Sequence, residues 1–210
     1  MAKKLNITMK LGKEVTAQEV LALKPYSILV ATGSNVISIP LEGLDQVQTV
    51  QAHDVLANDM QFANKKVVVI GGGITGLETA LYINRQGTNQ VSVVDMLPEW
   101  PVDMLDMRYQ NEALLEVRHC NDQGVALFYN NKVVKFADGK LFIESTKDGE
   151  VKELSADVIV LSVGVKPNDA LWQELLASGH PSVWKAGDAI ATGKINKAVL
   201  HGSKFGYSLN

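Results

Sequence analysis

Val67-Val68-Val69-Ile70-Gly71-Gly72-Gly73-Ile74-Thr75-Gly76-Leu77-Glu78 is the stretch on which the fold turns. Its first four residues are apolar and β-branched, the composition of a strand buried on both faces. They run straight into G-x-G-x-x-G, with Gly71, Gly73 and Gly76 as the three glycines. Ile74, Leu77, Ala80 and Leu81 then make one apolar helical stripe, which Gly87 closes. A second strand, Val91 to Val94, ends in Asp95, nineteen residues beyond Gly76. Strand, glycine turn, helix and spaced acid together predict a βαβ unit that binds a dinucleotide. Gly71 permits the tight turn, Gly73 has no side chain to block a pyrophosphate, and Gly76 lets helix and strand pack closely. Ile74 and Thr75 open the helix, whose free N–H groups and partial positive charge suit phosphates. Asp95 is expected to accept from the adenosine ribose hydroxyls and to repel the 2′-phosphate of NADPH. No Arg or Lys follows before Arg108, so NADH is the expected nucleotide. The competing readings are a ligand-free glycine turn and a surface acid at a strand end.

Working outward, 210 residues make one large domain or two small ones, and 46% hydrophobic content is enough for a buried core. A net charge of −3 gives no reason to expect nucleic acid or an anionic membrane surface. The longest apolar runs are strand-sized, so no transmembrane helix is expected. Met1 to Ile7 lacks the apolar core of a signal peptide. Cys120 is the single cysteine, which excludes an internal disulfide and fits a cytoplasmic protein.

Upstream of the fingerprint, Leu5 to Met9 is predicted as a short strand. Thr16-Ala17-Gln18-Glu19 has the form of a capping box before a helix through about Leu23. Ser27 to Ala31 is a buried-type strand broken by Thr32-Gly33, residues 34–47 form an irregular crossing, and Ala52 to Leu56 a short helix. Downstream, residues 96–107 carry Met96, Met104 and Met107 with Pro98, Trp100 and Pro101. They read as a loop with apolar anchors or a loop near a ligand, and methionine's gap-filling favours the former. Arg108 to Asn121 is helical and Val125 to Tyr129 a strand. Asp138-Gly139 and Asp148-Gly149 separate three runs of strand character (Lys132 to Phe136, Lys140 to Thr146, Val151 to Leu154), which predicts an antiparallel meander. Asp157 to Val163 is a buried strand stopped by Gly164. Helices follow from Asp169 to about Ala177 and from about Asn196 to Leu209, with Val183 to Ala186 between them. The two strands stopped by Gly33 and Gly164 bracket the βαβ-plus-meander unit, the pattern of an inserted domain.

Ala31-Thr32-Gly33, the fingerprint, Gly164 with Pro167-Asn168, and Ala186-Gly187-Asp188 occur in that order. This arrangement resembles flavoproteins with two dinucleotide-binding domains, the pyridine nucleotide-disulfide oxidoreductase superfamily. Gly187-Asp188-Ala189, Gly193-Lys194-Ile195, Ala198 and Gly202 further resemble the carboxy-terminal region of NADH:flavin oxidoreductases of the 2,4-dienoyl-CoA reductase and 2-enoate reductase type. The resemblance implies a Rossmann-like α/β fold, with residues 1–60 and 161–210 an incomplete FAD-binding domain and 61–160 an NAD(H)-binding domain. It implies NADH passing hydride to FAD in a parent enzyme whose further regions hold FMN and an iron–sulfur cluster. The family's FAD fingerprint has no counterpart here, so the chain reads as a carboxy-terminal piece, inactive in isolation, whose partners are the amino-terminal regions of that parent. An exposed half-site makes self-association plausible. The alternative is a stand-alone NAD(H)-binding module without turnover.

On the FAD side the resemblance implicates Ala31, Thr32, Gly33, Gly187, Asp188, Lys194, Ile195 and Ala198. Asp188 matches the acid that binds the ribityl chain, although Gly187-Asp188 also reads as a plain turn with an N-cap. Lys185 stands where the family has a small or apolar residue. Glu78, read in the first helical turn, matches a glutamate near the nicotinamide or is simply a helix-dipole acid. Gly164 either lets backbone approach the cofactor or only stops a strand. No catalytic residue is assigned. His53, His119, His180 and His201 share no metal-ligand spacing, and Cys120 has no C-x-x-C partner.

Overall fold

The computed structural model describes residues 7–98 and 107–209, with side chains outside 107–113. Along the chain the elements are α1 (Ala17–Ala22), β1 (Ile28–Val30), β2 (Ser34–Val36), β3 (Gln48–Gln51), α2 (Ala52–Ala57), β4 (Lys66–Ile70), α3 (Ile74–Asn84), β5 (Gln90–Val94), α4 (Met107–Asp122), β6 (Ala126–Phe128), β7 (Asn131–Ala137), β8 (Lys140–Ser145), β9 (Val151–Ser155), β10 (Val158–Leu161), β11 (Val165–Pro167), α5 (Ala170–Ala177), β12 (Val183–Lys185) and α6 (Ile195–Ser208). They form two compact units, residues 36–164 and residues 1–35 with 165–210.

The inner unit is a parallel sheet of order β3-β10-β4-β5-β6, with β7-β8-β9 as a separate antiparallel meander. Its central strands are continuous apolar runs because both faces are covered. Val67, Val69, Val91, Val93, Val158 and Val160 join the core shared with Ala52 and Val55 of α2, Leu77, Ala80, Leu81 and Ile83 of α3, and Val117 and Cys120 of α4. The alternate residues Val68, Ile70, Val94, Ile159 and Leu161 pack on Phe136, Leu141 and Ile143 of the meander. Burying one such aliphatic side chain contributes about 1.5–3 kcal/mol as an upper estimate. Buried Thr79 donates its hydroxyl to Thr75 O (2.6 Å), so its burial leaves no polar atom unsatisfied.

The expected Rossmann-like sheet and meander are both present, and the two Asp-Gly pairs provide the hairpin turns with Asp138, Gly139 and Gly149 at positive φ. Three expectations change. Ile7 to Met9 is not a strand, while Leu5 and Asn6 lie outside the described residues. Residues 36–60 and 161–164, grouped by sequence with the outer unit, fold with the inner one. The reason is β3, which pairs in parallel with β10 and feeds Ala52 and Val55 into the core under α3. Finally, α3 begins at Ile74, which puts Glu78 in its second turn. The helix-dipole benefit fades within the first turn, so that reading of Glu78 loses its basis.

The outer unit pairs β1 in parallel with β12 and β2 with β11. Its core is small: Ala17, Ile28, Val30 and Leu175 are buried, with Val20, Leu171, Trp172 and Val183 against them. The predicted capping box holds α1, with Thr16 Oγ1 accepting from Glu19 N (3.3 Å) and Glu19 Oε2 accepting from Thr16 N (3.1 Å).

Candidate functional site

At the carboxyl ends of the inner unit's strands lies a cleft of about 620 Å³. Ligands of open α/β sheets bind at this edge. The glycine turn forms its floor, and each glycine there answers a different constraint. Gly71 has φ +109°, and a Cβ on it would lie 2.3 Å from Ser162 O. A Cβ on Gly76 would lie 2.0 Å from Gly71 O, so the first turn of α3 can close on the loop only without one. Gly73 is the opposite case: a Cβ there meets nothing within 4 Å. Its missing side chain leaves open volume at the start of α3, whose N-cap position supplies no side-chain bond. Orphan N–H groups facing open space are what a pyrophosphate requires.

Asp95 is held in place by its neighbours. Oδ2 accepts from Gly72 N (2.6 Å) and Oδ1 from Leu97 N (2.8 Å). Each carboxylate oxygen can accept more than one hydrogen bond, so both keep capacity for ribose hydroxyls. Gly72 is part of the same device, since a Cβ on it would lie 3.1 Å from the Tyr129 ring and 3.2 Å from Asp95 Cβ.

The cleft brings together Gly71, Gly73, Asp95 and Gly164 of the sequence-derived set. Gly164 has φ +93° and open space where a Cβ would point, and its carbonyl accepts from Ile37 N (3.1 Å). The open approach is thus a feature of its geometry, whereas β10 already ends at Leu161, so Gly164 does not stop that strand. Ile74, Thr75 and Gly76 start α3 beneath the cleft without lining it, and Glu78 lies exposed further along that helix. Met96 and Leu97 line the cleft, whereas Trp100, Pro101 and Met104 lie outside the described residues.

Sequence reasoning missed the other wall: Ile39, Pro40 and Leu41 with Asn131, Lys132, Val133 and Val134. They meet because Phe136 N donates to Glu42 O (2.8 Å), which ties the crossing segment to β7. Asn131 N donates to Asp95 O (2.9 Å), and its side-chain Nδ2 to Tyr129 O (2.7 Å). No local pattern signals these contacts.

In the outer unit a second hollow, about 470 Å³, is lined by Ala31, Gly33, Gly187, Asp188, Lys194, Ile195 and Ala198, all from the expected FAD side, together with Leu29, Ala186, Gly193 and Gly202. Thr32 lies beside it, donating to Asn168 O. Asp188 is no free turn residue: Oδ1 accepts from Gly193 N (3.1 Å) and Oδ2 from Ser34 Oγ (3.5 Å). Gly187, at φ +62°, donates its N–H to His201 Nδ1 (3.2 Å), a contact that its sequence separation concealed. The pocket is small-residue and backbone-rich, chemistry that suits a polyol chain and a flat ring.

Lys185, the odd residue before Ala186, has a structural explanation. Its ammonium pairs with Asp169 (3.0 Å) and lies 4.0 Å over the Trp172 ring, away from the residues that line the hollow. The Lys185 hydrogen bond holds the Asp169 carboxyl below its ordinary value. Cys120 is buried against α3, and desolvation, then the Glu116 carboxylate, push its thiol up to about 11. That is the profile of an inert thiol. Among the described residues no cluster of His, Cys, Asp or Glu has metal-binding geometry, and no helix is long and apolar enough to cross a membrane.

The profile of the family described as pyridine nucleotide-disulphide oxidoreductase matches residues 2–202. NADH oxidase of Thermoanaerobacter brockii is 30% identical over 97% of this chain and 31% of its own length. Bilirubin reductase of Mediterraneibacter gnavus is 32% identical over 79% of the chain and 25% of its own length. A 2-naphthoyl-CoA reductase structure superposes with a TM-score of 0.81 at 26% identity, covering 98% of this chain and 30% of that one. The chain therefore spans less than a third of the length of these relatives.

Proposed function

The chain belongs to the pyridine nucleotide-disulphide oxidoreductase family, and from that premise we propose that it is the NADH-binding part of a flavin-dependent oxidoreductase of the NADH:flavin type. The family binds FAD and NAD(P)H. The observation that carries the nucleotide assignment is the empty volume over Gly73 beside a carboxylate that Gly72 and Leu97 hold in place. Gly71, Gly73 and the first turn of α3 would hold the pyrophosphate, and Asp95 the ribose. Gly187, Asp188, Ala198 and the start of α6 would hold the ribityl and ring side of FAD. When both cofactors are bound they supply the redox chemistry, a hydride leaving NADH as FAD is reduced. The protein's share is to orient them and to choose the nucleotide.

Titration calorimetry tests this reading. NADH is expected to bind more tightly than NADPH; equal or reversed affinities would refute the role of Asp95. A second reading, an NAD(H)-binding module without turnover, is favoured by one fact: the 210 residues hold a single G-x-G-x-x-G, used in the inner unit. FAD held by its ribityl side alone forgoes several charge-assisted hydrogen bonds, at about 1.5–3 kcal/mol each. The purified chain is therefore expected to be colourless and not to oxidise NADH. A yellow preparation with stoichiometric FAD would contradict that expectation and favour a complete flavin site.

A further inference from the structure

Resting on the NADH reading of the cleft, we propose that Glu144 is a second determinant of nucleotide choice: by pairing with Lys132 on the cleft wall, it withholds that ammonium from a 2′-phosphate. By sequence the nearest cation after Asp95 is Arg108; the fold places another, Lys132, on the cleft wall. Asn131 N donates to the carbonyl of Asp95 (2.9 Å), and the next residue, Lys132, lines the same cleft as the acid. Asp95 and Lys132 are the charged residues among the described residues that line the cleft. Opposite charges at one end of a nucleotide site favour opposite ligands. A ribose 2′-hydroxyl carries no charge, whereas a phosphate there carries about −1.5 to −2 at neutral pH.

Lys132 alone would offset Asp95 and make the cleft tolerant of NADPH. Glu144 prevents this. The two residues are direct cross-strand partners on β7 and β8, with Lys132 Nζ 2.8 Å from Glu144 Oε1. The pairing is therefore set by the meander's register. Both side chains are partly exposed, at 49% and 32%. Counting Asp95, Lys132 and Glu144, the group carries a net charge of −1. Removing Glu144 brings it to zero and leaves the ammonium unclaimed.

The test is the ratio of NADPH to NADH dissociation constants, measured by calorimetry in the wild type, Glu144→Gln, Lys132→Gln and the double variant. Glu144→Gln should lower the ratio by about twofold to fivefold, the size expected of one exposed ion pair. The change should vanish when Lys132 is also replaced, and shrink in about 1 M salt, where screening acts within roughly 3 Å. An unaltered ratio in Glu144→Gln, or the same shift with and without Lys132, would overturn the proposal while leaving the site itself intact. A wild-type chain that binds neither nucleotide would overturn the cleft assignment and this proposal together. Circular dichroism of each variant separates loss of fold from loss of selectivity.

Discussion

At the scale of single residues, the glycines of the turn separate binding from folding. Gly73→Val puts its Cβ into open volume with no atom within 4 Å, so the fold should persist while nucleotide binding is lost. Calorimetry alongside far-UV circular dichroism checks this, and retained affinity would place the nucleotide elsewhere. Gly76→Ala does the reverse, because its Cβ would collide with Gly71 O at 2.0 Å. Overpacking of this kind costs about 1–3 kcal/mol, and thermal unfolding should show a lowered midpoint. Cys120 offers a separate check. With its thiol pushed up to about 11 by burial, it should react negligibly with a disulfide reagent at pH 8 and react promptly once urea unfolds the chain. Rapid labelling of the native protein would contradict the packing of α4 on α3.

At the scale of elements, β12 and α5 are joined by the Lys185–Asp169 pair, with Lys185 also over the Trp172 ring. Asp169 titrates below its ordinary value mainly because of the Lys185 hydrogen bond, against which desolvation works. A depressed carboxyl contributes stability above the unfolded value, about 3.9, and loses it as the pH falls through the folded one. Asp169→Asn should therefore be less stable than the wild type at pH 7, with the gap closing on acidification below that range. Denaturant titrations at several pH values measure it; a gap independent of pH would mean that packing, not charge, sets the effect. The geometry also accounts for a lysine where the family resemblance suggests a small residue: the ammonium sits over the indole ring and meets its acid.

At the scale of the molecule, the two units differ in core. The inner one has two buried clusters, one on each face of its sheet, and the outer one has a single small cluster. Amide hydrogens of β4 and β10 should therefore exchange far more slowly than those of β1 and β12, since local opening is easiest where little apolar surface is buried. Native-state hydrogen exchange measures this directly, and uniform protection would show the chain to unfold as one cooperative body. The outer helix α6 adds to the contrast, with Ile195, Val199 and Tyr207 exposed.

Sequence alone was sufficient for whatever depends on neighbours along the chain. The strand-glycine-helix-strand run around Gly71 to Asp95 appeared where expected, because its periodicity and its turn are local properties. The capping box at Thr16 and the Asp-Gly hairpins are local in the same sense. Even the clustering of Ala31, Gly33, Gly187, Asp188, Lys194, Ile195 and Ala198 around one hollow followed from a recognisable order of short motifs. The tertiary structure decided what depends on long-range contact. It placed residues 36–60 in the inner unit, since no pattern in Gln48 to Gln51 announces pairing with β10, more than a hundred residues away. It set Asn131 against Asp95 through a backbone hydrogen bond, and Glu144 against Lys132 through a strand register. It gave His201 to Gly187 and Trp172 to Lys185. Propensity and spacing act over a few residues, whereas charge and close packing act between whatever the fold makes adjacent, and that adjacency is the part of the site no local motif encodes.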